Sequence, residues 1–282
     1  MKNNDHTMTK FAKWHGIGND FVMVNAFREN LDEASLPELA RAMCSRRFGI
    51  GSDGLILAAP GHDAELAMRM FNPDGSESEM CGNGVRCFAL FAQEEGLASS
   101  NEIPVETGAG LLKLNILADG RVRVDMGRAR LTRGEIGMTG EAGETFIGQR
   151  IEADGHSFVG TAVSMGNPHL TIIVPDVASI ALDEIGPIFE HHPLFPKRVN
   201  VHFIQVESPS RLIQRTWERG AGATLACGTG ACASGVAAFL NGASERRTTI
   251  RLPGGELEIE YAEDGTVWMT GPAVKAFDGI WN

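Results

Sequence analysis

FNPDGSESEMCGNG, residues 71–84, and WERGAGATLACGTG, residues 217–230, align without a gap, Phe71 on Trp217 and Cys81 on Cys227. The offset is 227 − 81 = 146, and other landmarks keep it to within two residues. Gly18-Asn19 matches Gly166-Asn167 at 148, Asp119-Gly120 matches Asp264-Gly265 at 145, and Gly96 matches Gly242 at 146. A single Gly-rich coincidence means little, but landmarks in one order at nearly one offset indicate an internal duplication. The chain therefore reads as two homologous halves, roughly 10–135 and 155–282. The Gly-rich, charged stretch 128–155 reads as a linker between them.

Each half repeats one grammar. After Cys-Gly-x-Gly comes a segment apolar on nearly all sides, 85–95 and then 231–241, the pattern of a helix buried along most of its length. Gly96 and Gly242 follow as C-caps. Next come paired runs of period-two alternation around an Asp-Gly turn. Leu112, Leu114 and Ile116 face Val122, Val124 and Met126; Leu257, Ile259 and Tyr261 face Val267 and Met269. A central helix wrapped by mostly antiparallel strands is the simplest assembly, and the fold class is α+β. A further amphipathic helix, 36–45, carries the lone Cys44 on its core side.

Cys81 and Cys227 occupy equivalent places at the mouths of the two buried helices. Unpaired backbone N–H groups and the helix dipole favour negative charge there, so a thiolate is stabilised. The same N–H groups can hold a carboxylate. If a pseudo-twofold axis relates the halves, the thiols face each other across an active site between them. That geometry suits removal of a proton from one face of a Cα and return of a proton on the other. The backbone N–H groups of Gly82, Asn83, Gly228 and Thr229 would stabilise charge spreading onto the carboxylate, so no cofactor is required. A buried cysteine at a helix start is more often inert packing. The equivalence of these two across the repeat shifts the balance to function, whereas Cys87 and Cys232, inside the helices, read as packing.

The totals agree with a small-molecule enzyme. Formal charge is 25 − 36 = −11, which repels phosphate backbones and argues against a nucleic-acid partner. Residues 1–10 lack an apolar core of the secretory kind, and no apolar run approaches membrane-spanning length. With five cysteines, an odd number, reduced thiols in the cytoplasm are expected.

The strings HGIGNDF (15–21), FGIGSDG (48–54), FNPDGSE (71–77), CGNGVRC (81–87), SMGNPH (164–169), FPKRVNV (195–201) and WERGAGATLACGTGACA (217–233) together resemble the diaminopimelate epimerase family, in the family's order. The resemblance implies two domains, each a β-roll around a central helix. The first spans 1–130 and is completed by a C-terminal strand at about 271–282; the second spans 131–270. It implies conversion of LL- to meso-diaminopimelate in lysine and peptidoglycan precursor synthesis, without metal or cofactor, by a homodimer. Cys81 and Cys227 match the acid/base pair, and His169 and Glu218 match side chains that assist the thiols. Gly82-Asn83 and Gly228-Thr229 match the clamp on the reacting carboxylate. Asn19, Asn72, Asn167, Asn200, Glu218 and Arg219 match substrate-binding positions; the Arg fork suits a second carboxylate. Two departures stand out. Gly54 takes the place of a substrate-binding Gln found in some members, and Ala223 that of a common Glu.

Other readings remain at this point. Proline or hydroxyproline racemases and phenazine-pathway isomerases share the two-cysteine logic, but Arg219 and the Asn set favour a substrate with a second polar end. A zinc or thiol-redox module is disfavoured by the C-x5-C and C-x4-C spacings, wider than the C-x2-C of structural zinc.

Overall fold

The computed structural model describes residues 8–78 and 82–282. Contacts divide the backbone into two compact units, one reaching to Val124 and including Gly271–Asn282, the other Asp125–Thr270. Cys81, together with residues 1–7, 79 and 80, lies outside the described residues.

In the first unit β1 (Thr9–Gly16) and β2 (Asn19–Asn25) form a hairpin. Helix α1 (Leu36–Cys44) leads into β3 (Gly54–Pro60), which pairs parallel to β2. β4 (Leu66–Phe71) pairs antiparallel with β3 and with the short β5 (Glu77–Ser78). Helix α2 (Gly82–Glu94) follows, then β6 (Glu102–Thr107), parallel to β4, and the antiparallel β7 (Gly110–Ile116) and β8 (Val122–Arg128). Leu114 stands opposite Val124 and Ile116 opposite Val122, as the alternation requires.

The second unit repeats this order. After the short helix α3 (Arg133–Ile136), β9 (Gln149–Ala153) pairs with β10 (His156–Ser164), which forms a hairpin with β11 (Pro168–Ile173). Helix α4 (Leu182–Glu190) precedes β12 (Asn200–Ser208), parallel to β11. β13 (Arg211–Glu218) pairs with β12 and with β14 (Gly222–Thr224). Helix α5 (Gly228–Leu240) leads to β15 (Arg247–Leu252), parallel to β13, and to β16 (Gly255–Tyr261) and β17 (Thr266–Gly271). Ile259 faces Met269 and Tyr261 faces Val267. The C-terminal strand β18 (Val274–Trp281) pairs antiparallel with β1, the position that β9 takes beside β10.

Helices α2 and α5 begin 146 residues apart and each starts three residues before its apolar run. Both end in the same cap. Leu97 N–H reaches Ala92 O and Gly96 N–H reaches Gln93 O; Ala243 N–H reaches Ala238 O and Gly242 N–H reaches Phe239 O. These are Schellman motifs with the glycine left-handed, at φ +71° and +70°. Val85, Phe88, Ala89 and Ala92 of α2 and Ala231, Ala233, Val236 and Ala238 of α5 are fully buried. Each such valine or phenylalanine contributes about 1.5–3 kcal/mol by leaving water.

The linker expected at 128–155 is not one. Ile136, Met138, Phe146 and Ile151 are buried in the core of the second unit with Leu170, Phe189 and Phe203. Its glycines and charges are spread over turns, the short α3 and β9, while its widely spaced apolar residues are the anchors. Cys44, Cys87 and Cys232 are buried, as packing requires.

Candidate active site

Cys227 is the N-cap residue of α5, with extended backbone angles (φ −123°, ψ 105°) and a side chain that is 4% exposed. The Gly230 N–H donates to the sulfur, and Thr229 Oγ1 lies 3.8 Å away. The helix start therefore acts on the thiol in the expected sense, but it is outweighed. Burial and then the Glu218 carboxylate push the Cys227 pKa well above the ordinary thiol value. Sequence reasoning expected a stabilised thiolate; burial and the neighbouring Glu218 instead favour the neutral thiol, which is within hydrogen-bonding reach of that carboxylate. Glu218 Oε1 in turn accepts a 2.6 Å hydrogen bond from Thr224 Oγ1.

The sharp turn between β10 and β11 delivers the next residues. Asn167 Nδ2 reaches Thr229 Oγ1 at 3.5 Å, and Asn167 Oδ1 accepts from His169 Nε2 at 2.8 Å. His169, in β11, is fully buried. Burial, reinforced by the neighbouring His202 and Arg219, holds its pKa well below the usual imidazole value, so the ring is neutral. Asn200, at the start of β12, donates to Pro168 O at 2.9 Å and accepts the Arg219 backbone N–H at 3.0 Å. Arg219 is exposed, with Nη1 bonded to Lys197 O at 3.1 Å. The turn that carries it is anchored by buried Glu190, which accepts Trp217 Nε1 at 2.7 Å and the Gly220 N–H at 3.0 Å. The second unit thus gathers Cys227, Glu218, Asn167, His169, Asn200, Arg219, Gly228 and Thr229 around the start of one helix.

The first unit gathers its own set. Asn19, opening β2, donates to Asp53 Oδ2 at 2.6 Å and accepts from Asn83 Nδ2 at 3.1 Å. Asp53 also binds Arg46 at 2.6 Å and the Asp20 N–H at 3.1 Å. Asn83 Oδ1 and Gly82 O both accept from the fully buried Arg86, at 3.0 and 3.1 Å. Asn72 follows β4 and donates to Ser76 Oγ at 3.0 Å. At Gly54 a Cβ would meet Met70 Cε at 3.0 Å and Phe71 O at 3.1 Å, so the backbone is closely covered there. Ala223 lies exposed on β14, opposite Trp217.

Sequence reasoning missed His202, Gln214 and Thr216, which lie fully buried behind His169. The signal was present in the repeat. Subtracting 146 places Ile56, Met68 and Met70 at the equivalent positions, so three polar residues occupy sites that the other half fills with core aliphatics.

Solved structures share this fold. A phenazine biosynthesis protein of the PhzF family from Bacillus anthracis superimposes with a TM-score of 0.71 at 15% identity, covering 98% of this chain and 99% of its own. A hydroxyproline epimerase from Agrobacterium vitis gives 0.64 at 16%, covering 98% and 91%. At such identity the likeness defines the fold class alone, a duplicated α+β fold. The sequence is more specific. The diaminopimelate epimerase family model matches residues 11–132 and 161–276. Curated diaminopimelate epimerases of Moorella thermoacetica and Desulforudis audaxviator are 53% and 52% identical over 274 and 276 residues, covering 95% and 96% of this chain and 98% and 99% of theirs. The chain belongs to the diaminopimelate epimerase family.

Proposed function

We propose that this protein epimerises LL-2,6-diaminopimelate to the meso form with two cysteines, Cys81 and Cys227, as the acid and base. Family membership at more than half identity over nearly the whole chain supports the substrate and reaction. The observation that carries the mechanism is the buried Cys227 thiol on the N-cap of α5, beside Glu218 and the backbone donors of the first turn.

In the direction where Cys227 donates, its neutral thiol delivers a proton to one face of Cα while Cys81 removes the proton from the other. In the reverse direction Cys227 must first lose its proton, and Glu218, to which the thiol donates, is the group that takes it. The N–H groups of Gly228 and Thr229, with those of Gly82 and Asn83, hold the reacting carboxylate as charge develops on it. Arg219 holds the distal carboxylate, and Asn19, Asn72, Asn167 and Asn200 orient the two ends by donating and accepting. The reading includes activity without added cofactor, homodimeric assembly and a cytoplasmic place. Among the described residues no helix is long and apolar enough to cross a membrane.

The test is proton NMR of dialysed enzyme with LL-diaminopimelate in D2O. Solvent deuterium should enter Cα as the meso form appears. Activity lost on dialysis and restored by pyridoxal phosphate or a metal would sink the reading.

A further inference from the structure

Gln214, His202, His169, Asn167 and Thr229 form a continuous chain of buried or half-buried polar side chains ending at Cys227. Gln214 Nε2 lies 3.2 Å from His202 Nδ1 and 2.9 Å from Thr216 Oγ1. His202 Nε2 lies 2.9 Å from His169 Nδ1. His169 Nε2 meets Asn167 Oδ1, Asn167 Nδ2 meets Thr229 Oγ1, and Thr229 Oγ1 meets the sulfur.

The inner end fixes the direction of donation. Gln214 Oε1 is buried with no partner. Turning the amide over would place its NH2 group there and strand two donors instead of one acceptor, the costlier choice. Gln214 therefore donates to both His202 and Thr216, and Thr216 Oγ1, itself 3.0 Å from His202 Nδ1, turns its O–H toward that nitrogen. His202 Nδ1 is then an acceptor, so its proton sits on Nε2 and goes to His169 Nδ1. His169 must carry its own proton on Nε2 and give it to Asn167. Asn167 donates to Thr229, whose O–H is left to donate to sulfur. Every link points toward Cys227.

The fold does not need this chain. In the first unit Ile56 faces Met70 and Ala58 faces Met68, just as His202 faces Thr216 and Ile204 faces Gln214. Ile56, Met68 and Met70 are buried core there. Burying a hydroxyl, an amide and an imidazole where aliphatics suffice is unfavourable unless they act together. The helix also makes room for the ring. A Cβ on Gly230 would stand 2.3 Å from His202 Cε1 and 3.0 Å from Cys227 Sγ, so only glycine lets the imidazole lie against the first turn of α5.

We propose that His202, held by Gln214, is a positioning residue for the reaction: it fixes His169 as the Nε2-protonated neutral tautomer and so aims the donors of Asn167 and Thr229 at Cys227. The inference rests on Cys227 being a reacting group, and its test has a readout independent of that reading.

With 15N-histidine-labelled protein, long-range 1H–15N spectra should find His169 and His202 each protonated on Nε2. His202→Leu should leave His169 a mixture of tautomers and lower kcat about tenfold, with KM changed less than about twofold. His202→Gln, whose amide N–H replaces the imidazole donor, should restore the single tautomer and bring kcat within about threefold of the parent. Gln214→Met, copying Met68, serves if His202→Leu does not fold; it should mix the His202 tautomers and lower kcat. His169 protonated on Nδ1 in the parent, or a folded His202→Leu with parental kcat, would overturn the proposal. So would Gln rescuing no better than Leu. A protein that never epimerises diaminopimelate would instead defeat the reading of its function, while the tautomers would still be read.

Discussion

Cys227 and the two histidines behind it answer to burial before anything else. A thiol at a helix mouth invites the assumption of a depressed pKa, yet desolvation and Glu218 prevail over the first-turn N–H groups. The same burial holds His202 down at a pKa of about 3 and His169 well below its ordinary value. Both histidines therefore take up protons more readily in the unfolded chain, whose pKa is about 6.5. Their contribution to stability is complete above that value and is lost as pH falls from it toward about 3. Urea unfolding between pH 7 and pH 5 should show stability declining, above the range where carboxylates titrate. His202→Gln should decline less steeply, and an equal slope would mean that His202 charges freely in the fold. On the exposed side of the site, Arg219→Ala should lower kcat/KM by about 30-fold or more without changing the unfolding curve, as loss of a carboxylate partner does. Near-normal kinetics would indicate a substrate with one carboxylate.

Helix α5 shows what an element adds. Its N-terminus supplies donors, its small side chains let strands approach, and its left-handed Gly242 ends it cleanly. Gly230→Ala should cost about 1–3 kcal/mol of stability by overpacking and reduce activity, because the new methyl displaces His202 or the thiol. Gly242→Ala meets nothing within 4 Å and should cost only about 1 kcal/mol, through its positive φ, with activity intact. Both are read from chemical denaturation beside initial rates. Both helices, the Asp-Gly hairpins and the two glycine caps were legible in the sequence because each has a local signature of periodicity or turn chemistry. The segment 128–155 was not. Its buried residues Ile136, Met138, Phe146 and Ile151 are too widely spaced for any period, and only tertiary packing identifies them. Helix α4 was missed as well, its pattern interrupted by Gly186 and Pro187.

At the scale of the molecule, the duplication is both the legible feature and the source of what was hidden. Matching Cys81 to Cys227 is what points to the proposed chemistry, and the repeat of strand order from β1–β8 to β10–β17 bears out the duplicated α+β architecture. The halves are not equivalent, however. Around Asn19 the support is ionic, through Asp53, Arg46 and Arg86, whereas around Asn167 it is a neutral imidazole pair. A motif search rewards what the halves share and passes over such differences, which is why His202 and Gln214 went unread. In the proposed mechanism each half contributes one base, and single-thiol variants test it. With Cys81 replaced by Ala, Cys227 alone should exchange deuterium into one stereoisomer with retention and leave the other almost untouched. Cys227→Ala should show the opposite preference, and neither variant should epimerise. The measurement is NMR of Cα deuterium incorporation into LL- and meso-diaminopimelate for both variants. Opposite preferences are the predicted result, whereas exchange of the same stereoisomer by both variants, or epimerisation at the parental rate by either, would contradict the account.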